Sequence, residues 1–295
     1  MQLVMGSLPD ASPPRRIDVQ VTEEVALAKF VRKKITFASE KDDRVPAYLF
    51  IPQSAIRNPK CPAVLCLHQT TKIGKGEPSG LGGLANLHYA LELAERGYVT
   101  LAPDYPNFGE HVFDPYKAGY ASGTMKAIWD NMRAVDLLQS LPEVDPERIG
   151  CIGHSLGGHN TMYTAAFDER IKVMVSSCGF NAFGKYYGGN LTGWSGTTYM
   201  PRIASVYGKS PAKMPFDFHE VVAAFAPRPF LTNSPLRDGN FEVSGVQDVI
   251  AAALPVYELL GAKEKLVALY PDAGHDFPPD VRQRAYEWLD RWLRP

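Results

Sequence analysis

A chain of 295 residues, 45% apolar and 21% charged, has the length for one large domain or two small ones, and it can bury a sizeable core without disulfide or metal staples. Its 31 Lys and Arg against 32 Asp and Glu leave no electrostatic footprint of a nucleic-acid partner or an anionic membrane surface. Its four cysteines, Cys61, Cys66, Cys151 and Cys178, lack CxxC or zinc-type spacing, and no apolar run reaches the length of a membrane span.

The first residues, Met1-Gln-Leu-Val-Met-Gly-Ser, lack the basic start and apolar run of a secretory leader. The expected location is therefore cytoplasmic, an expectation that a mature secreted form meets equally well. Residues 1–30 read as an N-terminal extension: a Pro-rich lead (Pro9, Pro13, Pro14) and then a short helix-like stretch. Residues 31–37 and 44–51 alternate in polarity across the turn 39–43, the pattern of an antiparallel hairpin. From there strand and helix alternate. Residues 63–67 (AVLCL) form a continuous apolar run, as in a strand buried on both faces. Cys61 and Cys66 fall on this strand roughly 16 Å apart at about 3.3 Å per residue, too far to bridge. Cys66, Cys151 and Cys178 sit in apolar runs and read as small buried hydrophobes.

A helix is expected over 84–96, a strand over 98–102, a helix over 125–141, a strand over 148–153, a helix over 156–167 and a strand over 171–176. The chain then resumes with a strand over 229–233, a helix over 244–260, a strand over 265–270 and a closing helix over 279–293. This order implies an α/β fold: a mostly parallel central sheet with helices on both faces and an antiparallel N-terminal hairpin, in a single domain spanning 1–295. Residues 177–228 break the rhythm. They are far longer than the usual connection of about 2–6 residues and rich in Phe, Tyr and Trp, so they read as an insertion over the active face.

The sequence Gly153-His154-Ser155-Leu156-Gly157 matches G-x-S-x-G. At average usage the pattern arises by chance in roughly one chain in ten of this length. Here it lies between an expected strand and an expected helix, the sharp turn that a nucleophilic serine requires. A serine hydroxyl needs a base to take its proton. Of the seven histidines, only His275 follows every plausible acid position, in a loop at the carboxyl ends of the strands. Asp238, just beyond the strand 229–233, is the expected acid; Glu242 in the same loop, and Asp272 or Asp276 beside His275, are its rivals. The oxyanion of a tetrahedral intermediate needs backbone donors, expected from Leu156 and from Thr70, with Gln69 as the alternative to Thr70. His68 reads as an anchor of that loop. Trp194 and Tyr199 are the expected substrate contacts in the insertion.

Other patterns fail. Ser210-Pro-Ala-Lys213 lacks its partner motifs, His219-Glu220 has Ala223 where a zinc helix needs a second histidine, and Gly74-Lys-Gly-Glu-Pro-Ser-Gly80 is no P-loop. No metal and no organic cofactor is expected.

These residues resemble the α/β-hydrolase superfamily over most of 45–293. The run Asp145-Pro-Glu-Arg-Ile-Gly into Gly-His-Ser-Leu-Gly-Gly is similar to the branch of acetyl xylan esterases, dienelactone hydrolases and prolyl-oligopeptidase-like enzymes. Asp217-Phe-His-Glu followed by Ala226-Pro-Arg-Pro resembles the segment before the acid-bearing strand in that branch and in glucuronoyl esterases. The chain departs from dienelactone hydrolases in having Ser155 rather than cysteine. It departs from acetyl xylan esterases and glucuronoyl esterases in having Leu156 where they carry Gln and Arg. The resemblance implies a serine-dependent carboxylic-ester hydrolase working through an acyl-enzyme on a small-molecule or carbohydrate ester. A peptidase or amidase on the same triad, or a non-catalytic binding protein on this fold, are the alternatives. The sequence sets no oligomeric state.

Overall fold

A computed structural model describes residues 1–9 and 17–294; Pro13 and Pro14 of the Pro-rich lead lie outside the described residues. Three strands open the sheet, β1 (Val19–Ala26), β2 (Phe30–Glu40) and β3 (Asp43–Pro52), preceded by the one-turn helix α1 (Gln2–Met5). The expected helix-like stretch is thus strand β1. It pairs antiparallel with β2 from Val19↔Phe37 to Ala26↔Val31. Its Glu-Glu-Val-Ala run has good helix formers, but pairing decides: Glu23 meets Arg32 and Glu24 meets Lys33 across the ladder, each at 3.2 Å. The β2–β3 hairpin runs further than the alternation suggests, closing at Glu40↔Asp43 with only Lys41 and Asp42 in the turn. Buried Asp43 at that closure meets Lys126 Nζ at 2.5 Å and His111 Nε2 at 2.8 Å. Those bonds pin the hairpin tip to the helix that carries Lys126.

After α2 (Gln53–Arg57) come β4 (Cys61–Leu67), α3 (Tyr89–Glu95), β5 (Val99–Pro103), α4 (Gly123–Ser140), β6 (Val144–His154), α5 (Leu156–Phe167) and β7 (Ile171–Ser177). The helix expected over 84–96 begins only at Tyr89, behind a 3-10 turn at Ala85–Leu87. The chain bends there because Asn86 is tied to the C-terminal helix: its carbonyl and side-chain oxygens accept from Arg282 at 3.2 and 2.8 Å. Helix α4 starts where Ser122 Oγ accepts from the Met125 amide at 3.0 Å, an N-cap.

The segment from Cys178 to Pro229 holds only short helices, α6 (Arg202–Ser205) and α7 (Phe218–Ala223), and 3-10 turns. Asp217 knots it. Its carboxylate accepts from the Phe218 amide at 2.7 Å and the Phe183 amide at 3.0 Å, while Glu220 accepts from the Asp217 amide at 2.6 Å. Then follow β8 (Phe230–Asn233), α8 (Val243–Leu259), β9 (Leu266–Leu269) and α9 (Pro279–Leu293).

The sheet order is β1-β2-β3-β5-β4-β6-β7-β8-β9, parallel from β5 onward and antiparallel before it. Alternate residues of β4 feed opposite cores: Ala63, Leu65 and Leu67 face the layer of α4, α5 and α8, and Val64 and Cys66 that of α3 and α9. No helix among the described residues is long and apolar enough to cross a membrane.

Candidate active site

Strand β6 ends at His154 and α5 begins at Leu156, so Ser155 alone makes the turn. Its backbone is left-handed (φ 53°, ψ −117°), a conformation that costs a non-glycine residue about 1–3 kcal/mol. The turn persists because its ends are fixed: Ser155 N–H donates to the Ser177 carbonyl at 2.8 Å and its carbonyl accepts from the His159 amide at 2.9 Å. The flanking glycines are steric necessities. A Cβ on Gly153 would stand 2.3 Å from the Gly157 carbonyl carbon, and one on Gly157 only 1.9 Å from the Leu67 carbonyl oxygen.

His275 lies in the loop between β9 and α9, half-buried, with Nδ1 2.9 Å from both carboxylate oxygens of Asp238. A carboxylate accepts only, so Nδ1 carries the proton and Nε2 keeps its lone pair. Asp238 is buried and also accepts from the amides of Asn240 (2.7 Å) and Phe241 (3.1 Å). Burial alone raises its pKa, but the bond and charge of His275, with those two amides, hold the carboxyl below its ordinary value. The rivals are engaged elsewhere. Glu242 is exposed and bonds Ser244 Oγ, Asp272 pairs with Arg237 at 2.9 Å, and Asp276 accepts from Asn86 Nδ2 at 2.8 Å.

The loop after β4 is held by His68. Its Nε2 accepts from the Tyr105 amide at 3.3 Å and its Nδ1 donates to the Gln69 carbonyl at 2.6 Å. Full burial lowers the ring's pKa and so favours the neutral form, the one this pair of bonds requires. Thr70 follows, exposed, with Oγ1 3.1 Å from the Tyr199 hydroxyl. Leu156 is the first residue of α5, so its amide has no helical acceptor.

Ser155, Leu156, Gln69, Thr70 and His275 share one open cavity of about 350 Å³ with Trp194 and Tyr199 from the aromatic segment. The Ser155 hydroxyl makes no hydrogen bond to the His275 ring within the described residues; such contacts often tighten only in the substrate complex.

The amino-acid sequence matches the model of acetyl xylan esterase (AXE1) over residues 16–182 and that of fungal glucuronyl esterase over 104–261. The chain belongs to the acetyl xylan esterase family. This makes it a serine carboxylesterase of the α/β-hydrolase fold. YtaP of Bacillus subtilis (strain 168), described as a hydrolase, is 28% identical over 98% of this chain and 96% of its own length. A glucuronoyl esterase from Solibacter usitatus superposes with a TM-score of 0.74 at 19% identity, covering 97% of this chain and 88% of that one. An acetyl xylan esterase from Paenibacillus sp. R4 gives 0.68 at 19% identity, over 95% and 90%. These two structures share the fold.

Sequence reasoning does not reach several residues that line this esterase's cavity: His159, Tyr186, Asn240 and Phe241. His159 has a usable signal, because it follows Ser155 by four residues and so shares its face of α5. It is buried, neither ring nitrogen has a hydrogen bond within the described residues, and burial pushes its pKa down to about 4. Asn240 and Phe241 directly follow the Asp238 turn. Tyr186 carries no local signal and enters by stacking on Trp194, ring centroids 3.9 Å apart. Trp194 is therefore mostly packed, also against His159, whereas Tyr199 is half-buried.

Among the described residues of this esterase, two clusters have metal-ligand character: His154, Cys178 and His275, and, at the hairpin tip, Asp43, His111 and Asp130. The second is already held by the Lys126 ammonium, which contacts both carboxylates.

Proposed function

We propose that this esterase hydrolyses esters of small, uncharged, hydroxyl-bearing compounds, acylated sugars among them, through an acyl-enzyme. Ser155 is the nucleophile, His275 the general base and Asp238 the group that orients it. Nε2 of His275 takes the Ser155 proton as Oγ bonds to the ester carbonyl carbon. The amides of Leu156 and Thr70 hold the oxyanion. Collapse breaks the bond to the alcohol oxygen, which leaves with the proton from His275. A water, deprotonated by the same nitrogen, then attacks the acyl carbon, and Ser155 leaves as the restored hydroxyl.

The observation that carries this reading is the Asp238–His275 bond opening on the same cavity as a serine held in a left-handed turn. The substrate class rests on the lining. Besides the His275 and His159 rings, the cavity offers neutral polar groups from Gln69, Thr70, Tyr199 and Asn240 beside the aromatic rings of Tyr186, Trp194 and Phe241, and among the described residues no Lys, Arg, Asp or Glu lines it. Such a wall suits a sugar ring, apolar on its faces and hydroxylated on its edge.

The test uses the wild type and Ser155→Ala on nitrophenyl acetate, a peracetylated sugar and an acetate ester of a hydroxy acid. Wild type should prefer the sugar over the charged ester in kcat/KM, the variant should lose nearly all hydrolysis, and a fluorophosphonate should label Ser155. Activity surviving in the variant, or labelling at another residue, refutes the assignment.

A further inference from the structure

We propose that His154, Cys178 and His275 form an inhibitory zinc site behind the reacting serine. Each offers one ligand atom, and the three atoms lie within 4.8 Å of one another. They come from three strand ends gathered by the parallel sheet: His154 closes β6, Cys178 follows β7 and His275 follows β9. Cys178 holds a left-handed backbone (φ 50°) with its amide on the Asn233 carbonyl at 2.8 Å, so its thiol is delivered by strain to this spot. His154 is 1% exposed, its ring centroid is 4.9 Å from that of His275, and its Nδ1 bonds Ser177 Oγ at 2.9 Å. Its Nε2 makes no hydrogen bond within the described residues, which leaves that nitrogen open to a ligand.

One thiolate and two imidazoles select zinc and its soft neighbours over magnesium or calcium. Zinc bonds of about 2.0–2.3 Å in a tetrahedron set donors about 3.3–3.8 Å apart, within reach of a modest turn of the half-buried His275 ring. On binding, the Cys178 S–H bond breaks, its proton goes to solvent and a Zn–S bond forms. Both imidazoles donate lone pairs, and water or an Asp238 oxygen completes the set. Inhibition follows whichever His275 nitrogen is taken, a consequence that rests on the reading of His275 as base. At Nε2 the metal occupies the lone pair needed for the Ser155 proton. At Nδ1 it displaces Asp238 and drives the ring proton to Nε2.

The test titrates zinc into purified wild type, Cys178→Ser and His154→Gln while following nitrophenyl acetate hydrolysis, and adds cobalt(II) to each for absorption spectra. Wild type should bind one zinc per chain and lose activity, with EDTA restoring it. Cys178→Ser should hydrolyse the ester at the wild-type rate but need at least tenfold more zinc, and His154→Gln should shift in the same direction. Cobalt should give thiolate charge-transfer absorption in wild type and none in Cys178→Ser. Equal zinc sensitivity in wild type and Cys178→Ser, or no thiolate band in wild type, overturns the site. A thiolate band in a chain that hydrolyses no ester would keep the metal site and reject the functional reading instead.

Discussion

Asp238→Asn isolates the electrostatic part of the proposed chemistry. The replacement keeps size and removes one charge. In the transition state the His275 ring carries a full positive charge, with Nδ1 2.9 Å from the carboxylate oxygens. At that distance and an effective dielectric constant of about 20, a unit charge pair is worth about 6 kcal/mol, or about four powers of ten in rate. An amide can also donate to Nδ1, which puts the ring proton on Nε2 and removes the base; in chymotrypsin the same change costs about 10⁴ in kcat. Steady-state hydrolysis of nitrophenyl acetate should therefore show kcat falling by 10³ to 10⁴ with KM little changed, and thermal melting should confirm a folded variant. Glu242→Gln, at an exposed side chain bonded to Ser244, should stay within threefold of wild type. Asp238→Asn within tenfold of wild type, or an equal loss in Glu242→Gln, would refute the reasoning.

Gly157→Ala should abolish activity and lower the melting temperature by several degrees, because its Cβ would meet backbone at 1.9 Å; a normally melting, active variant would contradict this. Trp194→Ala and Tyr199→Ala should each raise KM or change the ratio of kcat/KM for nitrophenyl acetate against a bulkier ester, with the small ester still hydrolysed; an unchanged ratio in both places the wall elsewhere. Stability should fall with acid. Burial lowers the pKa of His154 from 6.5 to about 3 and that of His159 from 6.5 to about 4, so the unfolded chain protonates first. Their contribution is present above about pH 6.5 and declines as pH falls toward those lowered values, by up to about 1.4 kcal/mol per pH unit for each ring. Urea unfolding of His159→Gln should show a shallower decline than wild type between pH 6.5 and 4, and identical slopes would reject it. EDTA should never lower hydrolysis, and a loss restored by zinc or calcium would require a catalytic metal.

The parallel half of the fold is legible because its strands are buried on both faces and read as continuous apolar runs, while its helices repeat at 3.6. The turn at Ser155 is legible for a related reason: two glycines bracket a small polar residue where those periods switch. β1 is not, since Glu23, Glu24 and Ala26 favour a helix locally and only the partners Arg32 and Lys33, folded back by a turn, make them a strand. The start of α3 is hidden likewise, because Asn86 answers to Arg282, nearly two hundred residues away. In the aromatic segment, composition reveals a cluster but not its sides. Trp194 and Tyr199 look equivalent in sequence, yet stacking on Tyr186 turns one largely into the core and a hydrogen bond to Thr70 keeps the other at the cleft.

That last bond links two tasks that enzymes usually keep apart. Tyr199 lines the cavity as part of the wall proposed to measure the substrate, and Thr70 belongs to the loop proposed to steady the charge that develops on it. On that reading, an ester wide enough to push Tyr199 aside would also break its bond to Thr70. The misfit would then be felt at the bond being broken, and an oversized ester should be penalised in turnover as well as in binding. The gauge and the tool share a hinge pin.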